Sequence, residues 1–320
     1  METFKYIIKR LVLALFVFVV IMTMCFFLVK LLPQIPAEQF GKDQATIELR
    51  REQLGYNKPL PEQYFIFWGQ ALKGNWGLSE TLYPMSDVWE TFVDKLPYSM
   101  ALNLYSTLIS IPIGIAFGIF AALKKNKWQD QVISTGVMVV ISVPVFIYGM
   151  LIQYLLCYKL KWFNHTIDYT QGAFALSTFV GMIPAIMTLS FGSIAGLCRS
   201  VRAELSDVLT SEFMLLARTK GLTKSQATVR HALRNAMVPI LPGLIASFIG
   251  IFGGSIVTEK IFGIAGVGQL MLKAVGTIPP DYNFFMLESA FYTALSLVAG
   301  VVLDLSYSFI DPRVKVGSTK

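Results

Sequence analysis

Apolar positions along this chain do not alternate with polar ones. They gather into six long runs, near 10–32, 98–123, 132–158, 173–198, 239–258 and 285–309. Each run is long enough to cross a hydrocarbon core of about 30 Å, which takes ~20 helical residues. The second to fifth runs hold no Asp, Glu, Lys or Arg. The sixth holds two acids, Glu288 about a turn from one end and Asp304 about a turn from the other. The pattern predicts an all-α integral membrane protein of six spans, with residues 1–320 as one transmembrane domain. The first run is longer than a signal-peptide core and no small-residue cleavage site follows it, so a retained anchor is expected.

Two polar segments between the runs are too long for plain connectors, 33–97 and 199–238. The second has the punctuation of folded structure. Ser211 is placed to cap a short helix whose first turn holds Glu212, beside the positive end of the helix dipole. Gly221 is placed to close that helix, because a C-terminal cap needs a left-handed residue. Thr223 and Gln226 have the spacing of a capping box for a second, basic helix running toward Asn235. The prediction is a compact docking knuckle of two helices around a glycine corner.

Composition agrees with a membrane protein: 54% of residues are hydrophobic and mean hydropathy is +0.58. Charge sets the expected orientation. Lys5, Lys9 and Arg10 precede the first run, Lys124, Lys125 and Lys127 lie between the second and third, and Arg313, Lys315 and Lys320 follow the sixth. The 199–238 insert carries seven Lys/Arg against three acids. In a six-span chain these four regions share one side, and basic flanks mark the cytoplasmic one. Both termini are therefore expected in the cytoplasm and 33–97 outside. The net charge of +7 then reflects orientation, and no nucleic-acid-reading pattern is present.

In the outer segment, 43–54 has the pattern of a charged amphipathic helix ended by Pro59 and Pro61. The run YFIFWGQAL after them offers an aromatic surface at interface level. Within the runs, Gly114/Gly118, Gly192/Gly196 and Gly250/Gly254 have the spacing that lets two helices approach closely. Pro112, Pro144 and Pro184 are expected to kink or interrupt their spans. Asn103 and Gln153 are the polar candidates for lining a path through the membrane, or else for bonding a neighbouring helix. Catalytic and metal sites are not expected. His165 and His231 fall in different loops, Cys25, Cys157 and Cys198 lack metal spacing, and no G-x-x-x-x-G-K-[ST] phosphate loop occurs.

Several segments resemble a known family. Glu212-Phe213, Ala217-Arg218, Lys220-Gly221-Leu222 and Arg230 through Ala236 are similar to the cytoplasmic loop of bacterial ATP-binding-cassette importers, in the version of the oligopeptide/dipeptide permease B family. Of that loop's general Glu-Ala-Ala-x-x-x-Gly only Ala217 and Gly221 remain, and Leu215 stands at the Glu position. Glu212 matches the acid that the peptide-permease branch keeps further upstream. Leu54 through Tyr64, Gly74-Asn75-Trp76-Gly77, Glu259-Lys260-Ile261-Phe262 with Gly266-Val267-Gly268, and Asp304 through Tyr307 with Asp311 through Lys315 match other family segments in order. Ala265 replaces a usual proline.

The resemblance implies a type I importer permease in a bacterial cytoplasmic membrane, half of a pathway for short peptides. It further implies a homologous companion permease, two cytoplasmic ATPases that use ATP and Mg, and an external peptide-binding protein. The chain itself would hold no cofactor. Glu212, Phe213, Leu216, Ala217, Arg218 and Lys220 would form the ATPase contact, with Gly221 as the corner. Arg230, Leu233 and Arg234 would belong to the second helix, the two arginines orienting it against the ATPase or facing lipid head groups. Nickel complexes are an alternative cargo, and an ion-coupled carrier or channel without an ATPase is the alternative mechanism.

Overall fold

A computed structural model describes residues 2–31, 45, 49, 52, 57–277 and 280–310. The amphipathic pattern at 43–54, the Leu54–Tyr56 part of the family segment and the C-terminal segment from Asp311 fall largely or wholly outside them. Among the described residues the fold is helical throughout: α1 (Glu2–Leu31), α2 (Leu60–Ala71), α3 (Val88–Leu123), α4 (Trp128–Ser142), α5 (Val145–Gln153, prolonged by a π-helical turn Tyr154–Lys159), α6 (Leu176–Leu209) and α7 (Glu212–Thr219). A second set follows: α8 (Lys224–Ala227 continued through a π-helical turn to Met237), α9 (Leu241–Ile249 with a 3₁₀ turn Gly250–Phe252), α10 (Ile256–Phe262), α11 (Val267–Gly276) and α12 (Tyr282–Ile310).

Four of these helices are long and apolar enough to cross a membrane. Six cross if the bent pairs α4–α5 and α8–α9 each count as one span. The bends have local causes. Pro144, at the N-cap of α5, cannot donate to the turn before it, and α4 and α5 meet at 97°. α8 and α9 meet at 54°, with Pro242 in the first turn of α9.

Several expected boundaries move. The second span begins at Val88 rather than 98, because the Asp87 carboxylate caps it, accepting from the backbone N–H of Trp89 and Glu90 at 2.9 and 3.1 Å. Pro97 is carried inside that helix. α6 runs on to Leu209, so the first eleven residues of the basic insert, 199–209, continue that helix instead of forming a loop. The expected fifth span at 239–258 is not one helix. It stops at Phe252, and an extended Gly253 separates it from α10. Gly250 and Gly254 therefore do not share a helix face.

α3 and α6 form the spine. A Cβ at Gly114 would lie 3.0 Å from the Leu197 Cβ, and one at Gly118 2.6 Å from the Val201 Cβ and 2.9 Å from the Cys198 carbonyl. The Gly114/Gly118 spacing thus lets the two helices meet almost backbone to backbone. The Gly192/Gly196 pair does not act this way: Gly192 faces the Tyr148 hydroxyl and Gly196 faces open space. At one end of the spine, α1 and α12 sandwich the aromatic side of α2. Phe26 stacks its edges on Tyr64 and Phe67, and Phe18 meets Trp68. Pro61, in the first turn of α2, occupies a position where its missing N–H costs nothing.

Candidate functional site

At the far end of the spine α7 and α8 form the expected knuckle. Its core is small side chains: Ala122, Leu205, Met214, Ala227, Ala232 and Ala236 are all buried together. Alanines let the short helices sit close to the ends of α3 and α6. The glycine corner forms as the sequence implies. Gly221 has φ +89°, its N–H donates to the Arg218 carbonyl at 3.0 Å, and the Leu222 N–H donates to the Ala217 carbonyl at 3.3 Å. Those two bonds make a Schellman ending, which demands a left-handed residue at Gly221. The capping box on α8 is complete: Gln226 N–H donates to the Thr223 hydroxyl at 3.2 Å and Thr223 N–H to the Gln226 side chain at 3.0 Å. Ser211 departs from expectation. Its hydroxyl donates back to the Val208 carbonyl at 2.5 Å instead of capping α7.

Met214 is the buried anchor of α7. The opposite face stands out of the fold, with Phe213, Leu215 and Leu216 exposed by 41%, 66% and 57%. Glu212, Arg218, Lys220 and Gly221 are exposed beside them. Ala217 and Leu233 turn partly inward onto the alanine core, whereas Arg230 and Arg234 point out. A groove of about 600 Å³ flanks α7, its rim carrying Lys125, Lys127, Glu212, Arg218 and Lys224. The expected knuckle residues thus lie on one protrusion, apolar at its centre and charged at its margin. Leu215, set aside in the sequence as a missing Glu, is the most exposed apolar side chain there. Outside the knuckle, Arg202 ties α6 to α4: its guanidinium grips the buried Asp130 carboxylate at both oxygens, at 2.5 and 2.7 Å.

The two pathway candidates are both engaged by backbone. Asn103 donates to the Gly253 carbonyl, and its side-chain oxygen accepts from the Ser255 hydroxyl at 2.7 Å. Gln153 donates to the Ile261 carbonyl at 2.7 Å. Each side chain stitches a span to the irregular stretch around α10.

The sequence reading missed a lock at the opposite end. Glu259, fully buried on α10, accepts from the Ser99 hydroxyl (2.8 Å) and from the N–H groups of Ser255 (2.9 Å) and Gln269 (3.1 Å). Ser99 in turn accepts from the Val267 N–H at 2.8 Å. Burial pushes the Glu259 carboxyl above the usual carboxylate range, opposed by the Ser99 hydroxyl and the backbone donors. A Cβ at Gly266 would lie 2.3 Å from the Ser99 Oγ, and one at Gly268 2.9 Å from the Glu259 carboxylate. The Glu259…Gly266-Val267-Gly268 segment is therefore a carboxylate clamped on the start of α11 with no room for side chains between.

A second clamp is the buried Asp281. Its Oδ2 accepts from the Ser79 hydroxyl at 2.6 Å and from the N–H groups of Glu80, Thr81 and Leu82 at 3.0–3.2 Å. Glu288 is fully buried on α12, and among the described residues neither carboxyl oxygen has a hydrogen-bond partner. The signals for the lock were the family segment Glu259 through Phe262 with Gly266-Val267-Gly268, and the acid at 281.

Residues 114–316 match the model described as "Binding-protein-dependent transport system inner membrane component". Residues 3–103 match that of the N-terminal component of the same systems. The dipeptide transport system permease protein DppB of Lactococcus lactis subsp. cremoris (strain MG1363) is 33% identical over 98% of this chain and 99% of its own. The probable peptide ABC transporter permease protein y4tP of Sinorhizobium fredii (strain NBRC 101917 / NGR234) is 30% identical over 97% and 99%. The glutathione transport system permease protein GsiC of Escherichia coli (strain K12) is likewise 30% identical over 97% and 99%. With both of its parts matched, from the α1 anchor through the knuckle to α12, this chain belongs to the family of inner membrane components of binding-protein-dependent transport systems.

Proposed function

We propose that this chain is the permease subunit of an ATP-driven importer of short peptides, and that α7 couples it to a separate ATPase. The observation that carries the reading is the α7 protrusion. Three large apolar side chains, Phe213, Leu215 and Leu216, stand exposed on a helix fixed at one end by a Schellman turn and anchored by Met214. Exposed apolar residues ringed by charge mark an interface, and a helix held from both sides transmits a push instead of folding under it. The relatives' names, which speak of dipeptide, peptide and glutathione transport, support short peptides as the cargo class.

In this reading the chain makes six crossings in a bacterial cytoplasmic membrane, with both termini and the knuckle in the cytoplasm. ATP and Mg bind to two partner ATPases, whose closure drives this knuckle and that of a companion permease together. An external binding protein delivers the peptide to the Glu259 end. The lock there gives that end a defined closed packing, and α3 and α6 connect it with the knuckle.

The test is uptake of a radiolabelled tripeptide into proteoliposomes holding the whole complex with its binding protein. ATP-dependent uptake, lost when the ATPases are left out, is the expected result. Uptake by this chain alone under an ion gradient would replace the reading with an ion-coupled carrier.

A further inference from the structure

Among the described residues, a polar concavity lies between the spans that neither the knuckle nor the lock uses. A groove of about 420 Å³ opens between α3, α6 and α9, and its polar lining is Thr107, Ser110, Ser193, Ser200, Glu204 and Ser247. Ser193, Ser200 and Ser247 are exposed, although α6 and α9 belong to membrane-crossing segments. A lipid-facing wall of a span is apolar, because hydrocarbon offers a polar group no partner. By contrast, α1 exposes Leu11, Val12, Leu15 and Phe16. The hydroxyl-lined face therefore meets water, substrate or protein, not acyl chains.

The chemistry of the groove is one-sided. Four of its hydroxyls spend their hydrogen on their own helix: Ser110 on the Ser106 carbonyl (2.5 Å), Ser193 on Leu189 (3.4 Å), Ser200 on Gly196 (3.1 Å) and Ser247 on Gly243 (3.0 Å). What they have left for a ligand is oxygen lone pairs. Glu204 adds a carboxylate, and the lining has no Lys or Arg. α6, at 34 residues, is ~50 Å long by its helical rise, longer than a hydrocarbon core of about 30 Å. Glu204, near its C-terminal end, therefore sits at the mouth on the knuckle side. A wall of acceptors with an anion at its exit suits a ligand rich in N–H donors that bears a cation.

We propose that the α3–α6–α9 groove is this chain's wall of the translocation path: its serine oxygens accept from the amide N–H groups of the passing peptide, and Glu204 receives the α-ammonium. The inference rests on the peptide-importer reading and names where in this chain the cargo is touched.

Ser193→Cys, Ser200→Cys and Ser247→Cys test it, each in the full complex with Cys25, Cys157 and Cys198 replaced by alanine. A water-soluble maleimide is applied from the ATPase side, with trialanine as the probe. All three cysteines should react, and trialanine should slow the reaction. N-acetyl-trialanine should protect less well, by about tenfold in the concentration needed, the worth of one charge-assisted hydrogen bond. Glu204→Gln should erase that difference while Glu204→Asp keeps it.

Three results would overturn the proposal: reaction with a lipid-soluble maleimide only, cross-linking of these cysteines to the companion permease, or labelling indifferent to trialanine. ATP-dependent tripeptide uptake by the cysteine-free complex is measured in parallel. Uptake without protection defeats the groove alone. Protection without ATP-dependent uptake defeats the importer reading and leaves the groove as a peptide site.

Discussion

The two ends of the α3–α6 spine are built on opposite principles. At the lock end, charge is placed inside: Glu259 and Asp281 are fully buried, one bonded to α3 and the other to the loop at Ser79, both brought from far along the chain. At the knuckle end, charge is placed outside and the interior is alanine with a few larger apolar side chains. A buried carboxylate with several donors specifies one geometry and penalises any other, since each donor left unpaired costs about 1–3 kcal/mol. An alanine core specifies close approach and little else. The lock end is thus suited to holding a single closed arrangement of irregular chain, and the knuckle end to presenting a surface that another protein completes.

That contrast breaks if removing a lock carboxylate is harmless. Glu259→Ala leaves the Ser99 hydroxyl and the N–H groups of Ser255 and Gln269 without the acceptor they share at a buried site. At about 1–3 kcal/mol for each unpaired group, the purified protein should lose most of its thermal stability or fail to accumulate. A melting curve in detergent checks this. Glu259→Gln, which keeps one acceptor, should fall between. Next in size is the spine itself: Gly118→Val drives its Cβ into Val201 and the Cys198 carbonyl and should cost about 1–3 kcal/mol or more. The same change at Gly196, which meets nothing, should leave the melting temperature unmoved.

The two ends also differed in how legible they were. The knuckle could be read because its signals are local: a glycine at positive φ, a capping box three residues wide, a basic run between apolar ones. Each is decided within a few residues of chain. The lock depends on Ser99 meeting Glu259 and on Ser79 meeting Asp281, pairs separated by 160 and 202 positions, and no periodicity announces such a meeting. Helix ends were less legible for a related reason. Glu90, Asp94, Lys95 and Pro97 read as the outside of a membrane, but a helix capped by Asp87 passes straight through them. Pro144 was legible as an interruption but not as a 97° turn, because a proline marks where a helix breaks without fixing the angle at which the next one leaves.

At the knuckle the expected effects shift from stability to coupling. Gly221→Val forces a β-branched residue to φ +89°, a strain of about 1–3 kcal/mol confined to the corner. The protein should still insert and melt cooperatively, while uptake falls away from ATP hydrolysis in the reconstituted complex. Unchanged uptake would show that the corner does not set the position of α7. Leu216→Asp, at a side chain 57% exposed, should leave the unfolding free energy within about 0.5 kcal/mol of the parent. ATPase retention on an affinity column should nevertheless drop about tenfold or more, as for an interface anchor. A large loss of stability at Leu216 would mean that the knuckle, like the lock, is held from within.

The sharpest probe is the acid that fits neither description. Glu288 is as buried as Glu259, yet both of its oxygens lack a partner among the described residues. If burial alone made a carboxyl part of the lock, Glu288→Met should be as harmful as Glu259→Ala. Bonding, and not burial, is what the lock argument rests on. Replacing an unpartnered buried polar group by an apolar one of similar size is nearly neutral or stabilising. Glu288→Met should therefore leave the melting temperature unchanged or raise it slightly, and the double variant Glu259→Ala, Glu288→Met should melt no lower than Glu259→Ala alone. A Glu288→Met variant as fragile as the Glu259 variants would require a donor for Glu288 in the folded protein, and would make the lock a three-carboxylate device instead of two separate clamps.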